Sequence, residues 1–251
     1  MKKSRKVLTT TFGVAMALVV VLAAGCSASS GGSGSAQADT PKAYAPKIVA
    51  ADFSTKIDNK YFPLKPGTTF VYKGKTAGGK ESDIMKVTSD TKMIMGVKCV
   101  VVDDRVFEGG KLTEKTYDWY AQDNKGNVWY FGEDSKEIKN GKVTSTGGSW
   151  EAGEKGAKPG IIMPAGPKVG KTYRQEYEKG VAEDMARALK LNGSVKVPYG
   201  SFRSVLVTDE WTPLEPNVAE NKYYAPGLGD VKEIATKGPK ETLTLVDVKH
   251  A

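Results

Sequence analysis

From Thr68 onward, apolar and polar residues change places over short runs, the mark of strands with one buried face. Thr69–Lys73 alternates and is rich in aromatic residues, and Val97–Val106 is β-branched. Tyr117–Tyr120 and Asn127–Phe131 flank Asp123-Asn124-Lys125-Gly126, a turn signal. Asn140-Gly141 sits between Glu137–Lys139 and Lys142–Thr144. Both residues tolerate positive φ, so the pair predicts a tight hairpin turn. Ser201–Trp211, Asn221–Tyr224, Asp230–Ala235 and Glu241–Val248 read as further strands. One segment conflicts: Val181–Leu189 is made of helix formers.

The same pattern occurs twice. Lys65–Phe70 recurs as Lys168–Tyr173, and Ile84–Val87 as Ala188–Leu191. Gly96 with Val100–Val102 recurs as Gly200 with Val205–Val207, and Trp119–Ala121 as Tyr223–Ala225. Gly126–Val128 recurs as Gly229–Val231, and Lys139–Lys142 as Lys237–Lys240. Order is kept throughout, which points to an internal duplication. The repeat aligns Val181–Leu189 with the strand-like Glu81–Val87, so a strand is expected there, with a short helix as the alternative.

The expected fold is therefore all-β. About ten to twelve antiparallel strands in two similar units would form either two meander sheets packed face to face or one curved half-barrel, with little helix beyond the leader. The segments are a signal peptide over 1–25, a lipidated cysteine and flexible tether over 26–50, a first β unit over 51–144, a connector over 145–167 and a second β unit over 168–251. The connector holds Trp150 and Met163 among glycines and prolines, with no evident structure of its own.

The leader has a positive start (Lys2, Lys3, Arg5, Lys6) and an apolar run from Val14 to Ala24. Ala23-Ala24-Gly25-Cys26 then places small residues before a cysteine. A plain secretory signal needs no cysteine there; lipidation does. The run is short for a membrane span of about 20 residues. Residues 27–40 are rich in Ser, Gly and Ala, a tether by composition. The expected localisation is the cell envelope, with acyl chains (palmitate among them) on Cys26 holding the chain to the extracytoplasmic side of a membrane, periplasmic or extracellular.

Charge changes this picture little. The formal net charge is +8, but four of the 37 basic residues lie in the leader, leaving 33 against 29 acidic ones. No basic run with interleaved aromatics suggests nucleic acid. With Cys26 lipidated, Cys99 has no partner for a disulfide, and its apolar setting predicts a buried thiol. The single histidine is His250, next to the C-terminus, a poor place for triad catalysis or a zinc site. No cofactor, metal site or catalytic residue is implied.

Three groups remain as candidate sites. Neighbours along a strand face opposite sides. Trp119 and Tyr120 therefore cannot both enter one core, nor can Trp129 and Tyr130. The outer one of each pair is either covered or part of an aromatic wall for an apolar ligand or a sugar ring. The connector, with Trp150, Glu151, Glu154 and Met163, is either a plug between the halves or a lid over a cleft. The acids Glu176, Glu178, Glu183 and Asp184 suggest calcium by density, but Arg174, Lys179 and Arg187 lie among them and no loop pattern fits. Solvated strand faces are expected. The same acids, or Asp103 and Asp104, are the candidates for a glycosidase-like carboxylate pair.

Three stretches resemble a family of bacterial exported proteins and lipoproteins with no assigned activity. They are Tyr61–Gly67, then Trp119–Asp123 with Gly126–Glu133, then Ser149–Gly153 with Pro159–Pro164. The resemblance spans roughly 55 to 248 and implies lineage, with no catalytic residue carried over. At the level of fold alone, the two-half form is also similar to half-barrel periplasmic carriers of lipids and lipoproteins. The function expected is non-enzymatic binding of a hydrophobic or carbohydrate-like ligand, with Trp119, Tyr120, Trp129, Tyr130, Trp150 and Met163 as the candidate contacts. The alternatives are an assembly lipoprotein that meets an envelope protein, and a carboxylate-based hydrolase.

Overall fold

A computed structural model describes residues 44–76 and 79–250. The leader, Cys26 and the start of the tether lie outside the described residues. Tyr44, within the span expected to be tether, already packs on the folded part: its hydroxyl donates to the Pro159 carbonyl at 2.8 Å and its ring lies 5.6 Å from that of Tyr177.

Among the described residues, eighteen strands follow a short 3₁₀ turn at Ala50–Asp52. β1 (Phe53–Ser54), β2 (Ile57–Asn59) and β3 (Phe62–Leu64) are short. Then come β4 (Thr68–Thr76), β5 (Gly79–Ile94), β6 (Val97–Glu108), β7 (Lys111–Asp123), β8 (Val128–Lys139) and β9 (Lys142–Ser145). The middle of the chain gives β10 (Trp150–Glu151), β11 (Lys158–Met163), β12 (Thr172–Arg174) and β13 (Glu176–Tyr177). The rest is β14 (Met185–Val197), β15 (Gly200–Trp211), β16 (Ala219–Ala225), β17 (Gly229–Lys237) and β18 (Thr242–His250). This exceeds the ten to twelve expected, because strands of two or three residues carry no readable period.

Thirteen strands form one continuous path, β12-β14-β15-β16-β17-β18-β4-β5-β6-β7-β8-β11-β13. β12 and β13 are separated only by Gln175, so the sheet curls into a nearly closed half-barrel rather than two stacked sheets. β2 and β3 form a small second sheet. The segments matched in sequence fall in strands: Phe70 in β4 and Tyr173 in β12, Val100–Val102 in β6 and Val205–Val207 in β15, Trp119–Ala121 in β7 and Tyr223–Ala225 in β16. The two meanders join where β18 pairs with β4, Leu245 opposite Tyr72.

Two expectations are settled by backbone pairing. Val181–Leu189 contains no helix; after a turn, β14 begins at Met185 and pairs Ala186 with Glu210. The connector does have structure of its own. β10 and β11 both run along β8, with Trp150 opposite Glu133 and Gly160 opposite Tyr130. Pro159 and Gly160 disguise β11, since proline and glycine ordinarily mark strand edges and bulges. The Asn140-Gly141 turn has the positive φ that its sequence predicts, 53° and 75°.

Register sorts side chains into an inner and an outer face. Along β7, Asp118 and Tyr120 face the barrel interior, so Trp119 between them faces outward. Trp119 is still only 6 % exposed, because Lys92 lies 3.4 Å above its ring and is held there by Glu151 at 2.7 Å. On β8 a bulge inserts Phe131 between Tyr130, opposite Tyr120, and Gly132, opposite Trp119.

Candidate functional site

The inward face of the half-barrel encloses a cavity of about 1200 Å³, counting space open to solvent. Its wall is aromatic and aliphatic in part, with Phe70, Met85, Tyr120, Ile162 and Tyr224. Phe62, Pro63 and Leu64 of β3 add to it from a cap formed by the small sheet. Hydrogen bonds pin that cap to one end of the barrel. Asn59 Nδ2 donates to the carbonyls of Gly126 (2.8 Å) and Pro164 (3.2 Å). The N–H groups of Asp58 and Asn59 donate to Gln122 Oε1 at 3.0 and 2.9 Å. Gly227 N–H donates to the Lys60 carbonyl at 2.7 Å. The Phe62 ring then reaches inward to 5.4 Å from Tyr120 and 6.5 Å from Tyr224. The stretch Tyr61–Gly67, prominent in the sequence, thus supplies the cap and the turn into β4.

The rest of the wall is acidic. Asp83, Asp104 and Asp118 come from the neighbouring strands β5, β6 and β7, and Glu176 and Asp184 from the segment that closes the ring. Glu210, Glu220, Asp230 and Glu233 come from β15, β16 and β17. Against these nine carboxyls the lining holds, among the described residues, one basic side chain, Lys222.

The two sides of the cavity handle their acids differently. Glu210 accepts from Thr208 Oγ1 (2.6 Å), Tyr224 OH (2.9 Å) and Gln175 Nε2 (3.1 Å). Glu220 and Glu233 each lie 3.3 Å from Lys222 Nζ. Burial alone would lower the Lys222 pKa, but Glu220, Glu233 and Glu210 outweigh it and hold it well above its ordinary value. On the other side, Tyr130 OH donates to Asp118 at 2.5 Å, and the Asp83 and Asp104 carboxyls bond to each other. Beyond that mutual contact, Oδ1 of Asp83 and of Asp104 has no hydrogen-bond partner.

Burial makes ionising these groups costly. It raises Asp118 to about 8, with the Asp104 charge adding and the Tyr130 hydrogen bond opposing. Glu220 rises to about 8 through burial, against the pull of Lys222. Asp184 reaches about 6, burial being offset by a bond from Thr212. Asp83, Glu176 and Asp230 are pushed well above the usual carboxylate range, first by burial and then by Asp104, Asp184 and Glu233 respectively.

Of the six aromatic and methionine candidates, Tyr120 lines this cavity. Tyr130 is stacked behind it at 4.6 Å, and Trp150 meets Tyr130 edge-on at 5.4 Å. Met163 is fully buried in the core. Trp129 lies against Phe53 at 6.1 Å, its Nε1 donating to Asp123 at 2.8 Å. The acidic candidates divide. Asp104, Glu176 and Asp184 are in the wall, contrary to the solvated faces expected of Glu176 and Asp184. Asp103 pairs outside with Arg105 at 2.6 Å, and Glu183 accepts the Gly180 N–H at a turn. Glu178 is buried but does not line the cavity. Among the described residues, no group of three or more acids, cysteines or histidines is placed to hold a metal ion.

A signal for the missed acids does exist. Glu114, Thr116 and Asp118 alternate in step with Tyr120, Glu81 and Asp83 with Met85, and Glu220 and Lys222 with Tyr224. An acid two residues from a core aromatic on a regular strand must share its face.

Among the described residues, no helix is long and apolar enough to cross a membrane. No family model and no curated protein matches the chain. Two solved structures are similar. One is a protein from Bacteroides fragilis described as exported, with a YmcC-like fold (16% identity, TM-score 0.45). The other is a protein from Parabacteroides distasonis described as a lipoprotein (14% identity, TM-score 0.41). Each overlap takes in 76% of this chain and 99% of the other.

Proposed function

We propose that the chain is a lipid-anchored binding protein of the cell envelope, held to a membrane through acylated Cys26, with the interior of its half-barrel as the ligand site. The observation that carries this reading is the cavity itself. A barrel whose only task is to stand folded fills its interior with side chains at the density of an organic crystal. Here the interior stays open, lined by aromatic, aliphatic and carboxyl side chains. Aromatic walls with polar groups facing the same space are the usual composition of a small-molecule site. The leader and the cysteine after it supply the anchor.

Native mass spectrometry tests the reading on full-length chain purified gently, in mild detergent, from the cells that make it. A reproducible adduct that is lost on denaturation is expected. A bare chain, whose Tyr120→Ala and Phe62→Ala variants leave its cellular phenotype unchanged, would sink the reading.

A further inference from the structure

We infer that the ligand carries a protonated amine, seated against the Asp83–Asp104–Asp118 wall, with an apolar body lying on the neighbouring aromatic and aliphatic wall. The inference rests on the reading of the barrel interior as a ligand site, and it assigns the ligand's chemical class.

Geometry comes first. Asp83 stands opposite Val106 and Asp104 opposite Met85, so the two carboxyls are diagonal neighbours. Asp104 stands opposite Thr116 and Asp118 opposite Val102, which continues the diagonal one strand further. Asp118 also sits directly across from Glu133. Carboxyls crowded and buried in this way resist ionising together. A cation seated among them would let them carry their charge.

Among the described residues the lining holds one cation, Lys222, whose charge reaches Asp104 and Asp118 but whose contacts lie elsewhere. Lys222 lies between Glu220 and Glu233 on the opposite half, where Glu210 is also fully partnered. Asp83 is 8 % exposed, lines the cavity, and leaves Oδ1 without a partner beyond Asp104. A buried carboxyl oxygen at the cavity wall without a donor gains from one, and a cationic donor makes the stronger bond. Burial, then the charge and hydrogen bond of Asp104, push the Asp83 carboxyl well above the usual carboxylate range, a shift that a cation beside it would oppose.

The spacing favours an organic cation over a metal ion. Calcium wants six to eight oxygens converging at 2.3–2.6 Å. These acids lie strung along a diagonal, and no three of them converge on a metal position among the described residues. An ammonium has three donors that can reach separate carboxyls. Phe70, Met85, Tyr120 and Phe62, all in the same lining, give an aliphatic or aromatic body its contact.

Calorimetric titration of the full-length chain in detergent tests this with three probes of one shape: 2-phenylethylamine, 2-phenylethanol and phenylacetate. The amine is expected to bind at least tenfold more tightly than the alcohol, with no saturable binding of the acid. Asp83→Asn and Asp104→Asn should each weaken the amine at least tenfold and leave the alcohol within twofold, which also shows that the variants are folded. Alcohol binding equal to or tighter than the amine overturns the inference and leaves the ligand site standing. So does amine binding that neither substitution moves. Failure of all three probes to bind overturns both the inference and the reading beneath it.

Discussion

Lys222 is the residue on which the acidic interior balances. It has Glu220 and Glu233 on either side, each at 3.3 Å, and it is about one-tenth exposed. Removing one member of a buried charge group strands the others, at a cost of about 3–5 kcal/mol. Lys222→Met should therefore lower stability by about that much in urea unfolding. The triple variant with Glu220→Gln and Glu233→Gln should recover most of the loss, and an equally unstable triple variant would disprove the charge account. Cys99 poses the opposite case. Its thiol is fully buried, and burial pushes its pKa up to about 12. The thiolate is the reactive form, so a maleimide should leave native protein unlabelled and react once it is unfolded. The apolar run around Cys99 foretold this burial. The depth of Asp83 showed only through its alternation with Met85, because an acid on a strand looks solvated until its face is traced.

At the scale of the element, the bulge on β8 joins the connector to the barrel. Gly132 has φ of 135°, and a Cβ built there would lie 2.3 Å from the Trp150 carbonyl oxygen. No side chain fits that space without shifting β10 away from its partner. Gly132→Ala should cost about 2 kcal/mol or more, read as a lower unfolding midpoint, with Trp150 fluorescence shifted to the red. A midpoint within experimental error of the parent would show that β10 yields freely. Hairpins were the most legible elements, since Asn140-Gly141 and Asp123–Gly126 encode their turns locally. β10 and β11 were hidden, because their strand character comes from pairing with β8 and is opposed by Pro159 and Gly160. The outward Trp119 shows the same limit. Alternation predicts its direction correctly, but only the Lys92–Glu151 contact, made between distant segments, accounts for its burial.

The whole molecule should respond to pH in the reverse of the usual sense. Its buried acids have pKa values raised in the folded state, whereas in the unfolded chain they titrate near 4. Between those limits the folded chain holds more protons than the unfolded one, so stability falls as pH rises. The slope is about 1.4 kcal/mol per pH unit for each extra proton held. The window runs from about 4, through about 6 for Asp184, to about 8 for Asp118, Glu114 and Glu220. The two acids with lowered values, Asp58 and Asp123, finish contributing below this window. The melting temperature of empty protein should therefore be higher at pH 5.5 than at pH 8.5. A flat or rising profile would mean that the interior acids ionise freely. The all-β class, the paired meanders and the curved sheet were all in reach of the sequence. Which of the two expected arrangements forms was not, because the joint between β18 and β4 depends on residues far apart in the chain.

That joint has a consequence in time. Thr244 Oγ1 donates to the Lys73 carbonyl across a separation of 171 residues. A chain delivered N-terminus first presents β4 long before β18 exists to cover it. Until then the first meander carries an unpaired edge, which is a template for mispairing. Contacts this distant in sequence also form late and slowly. The interval before β18 arrives is thus the stage at which the protein is most exposed to aggregation, and whatever shields the β4 edge during it would raise the yield of folded barrel.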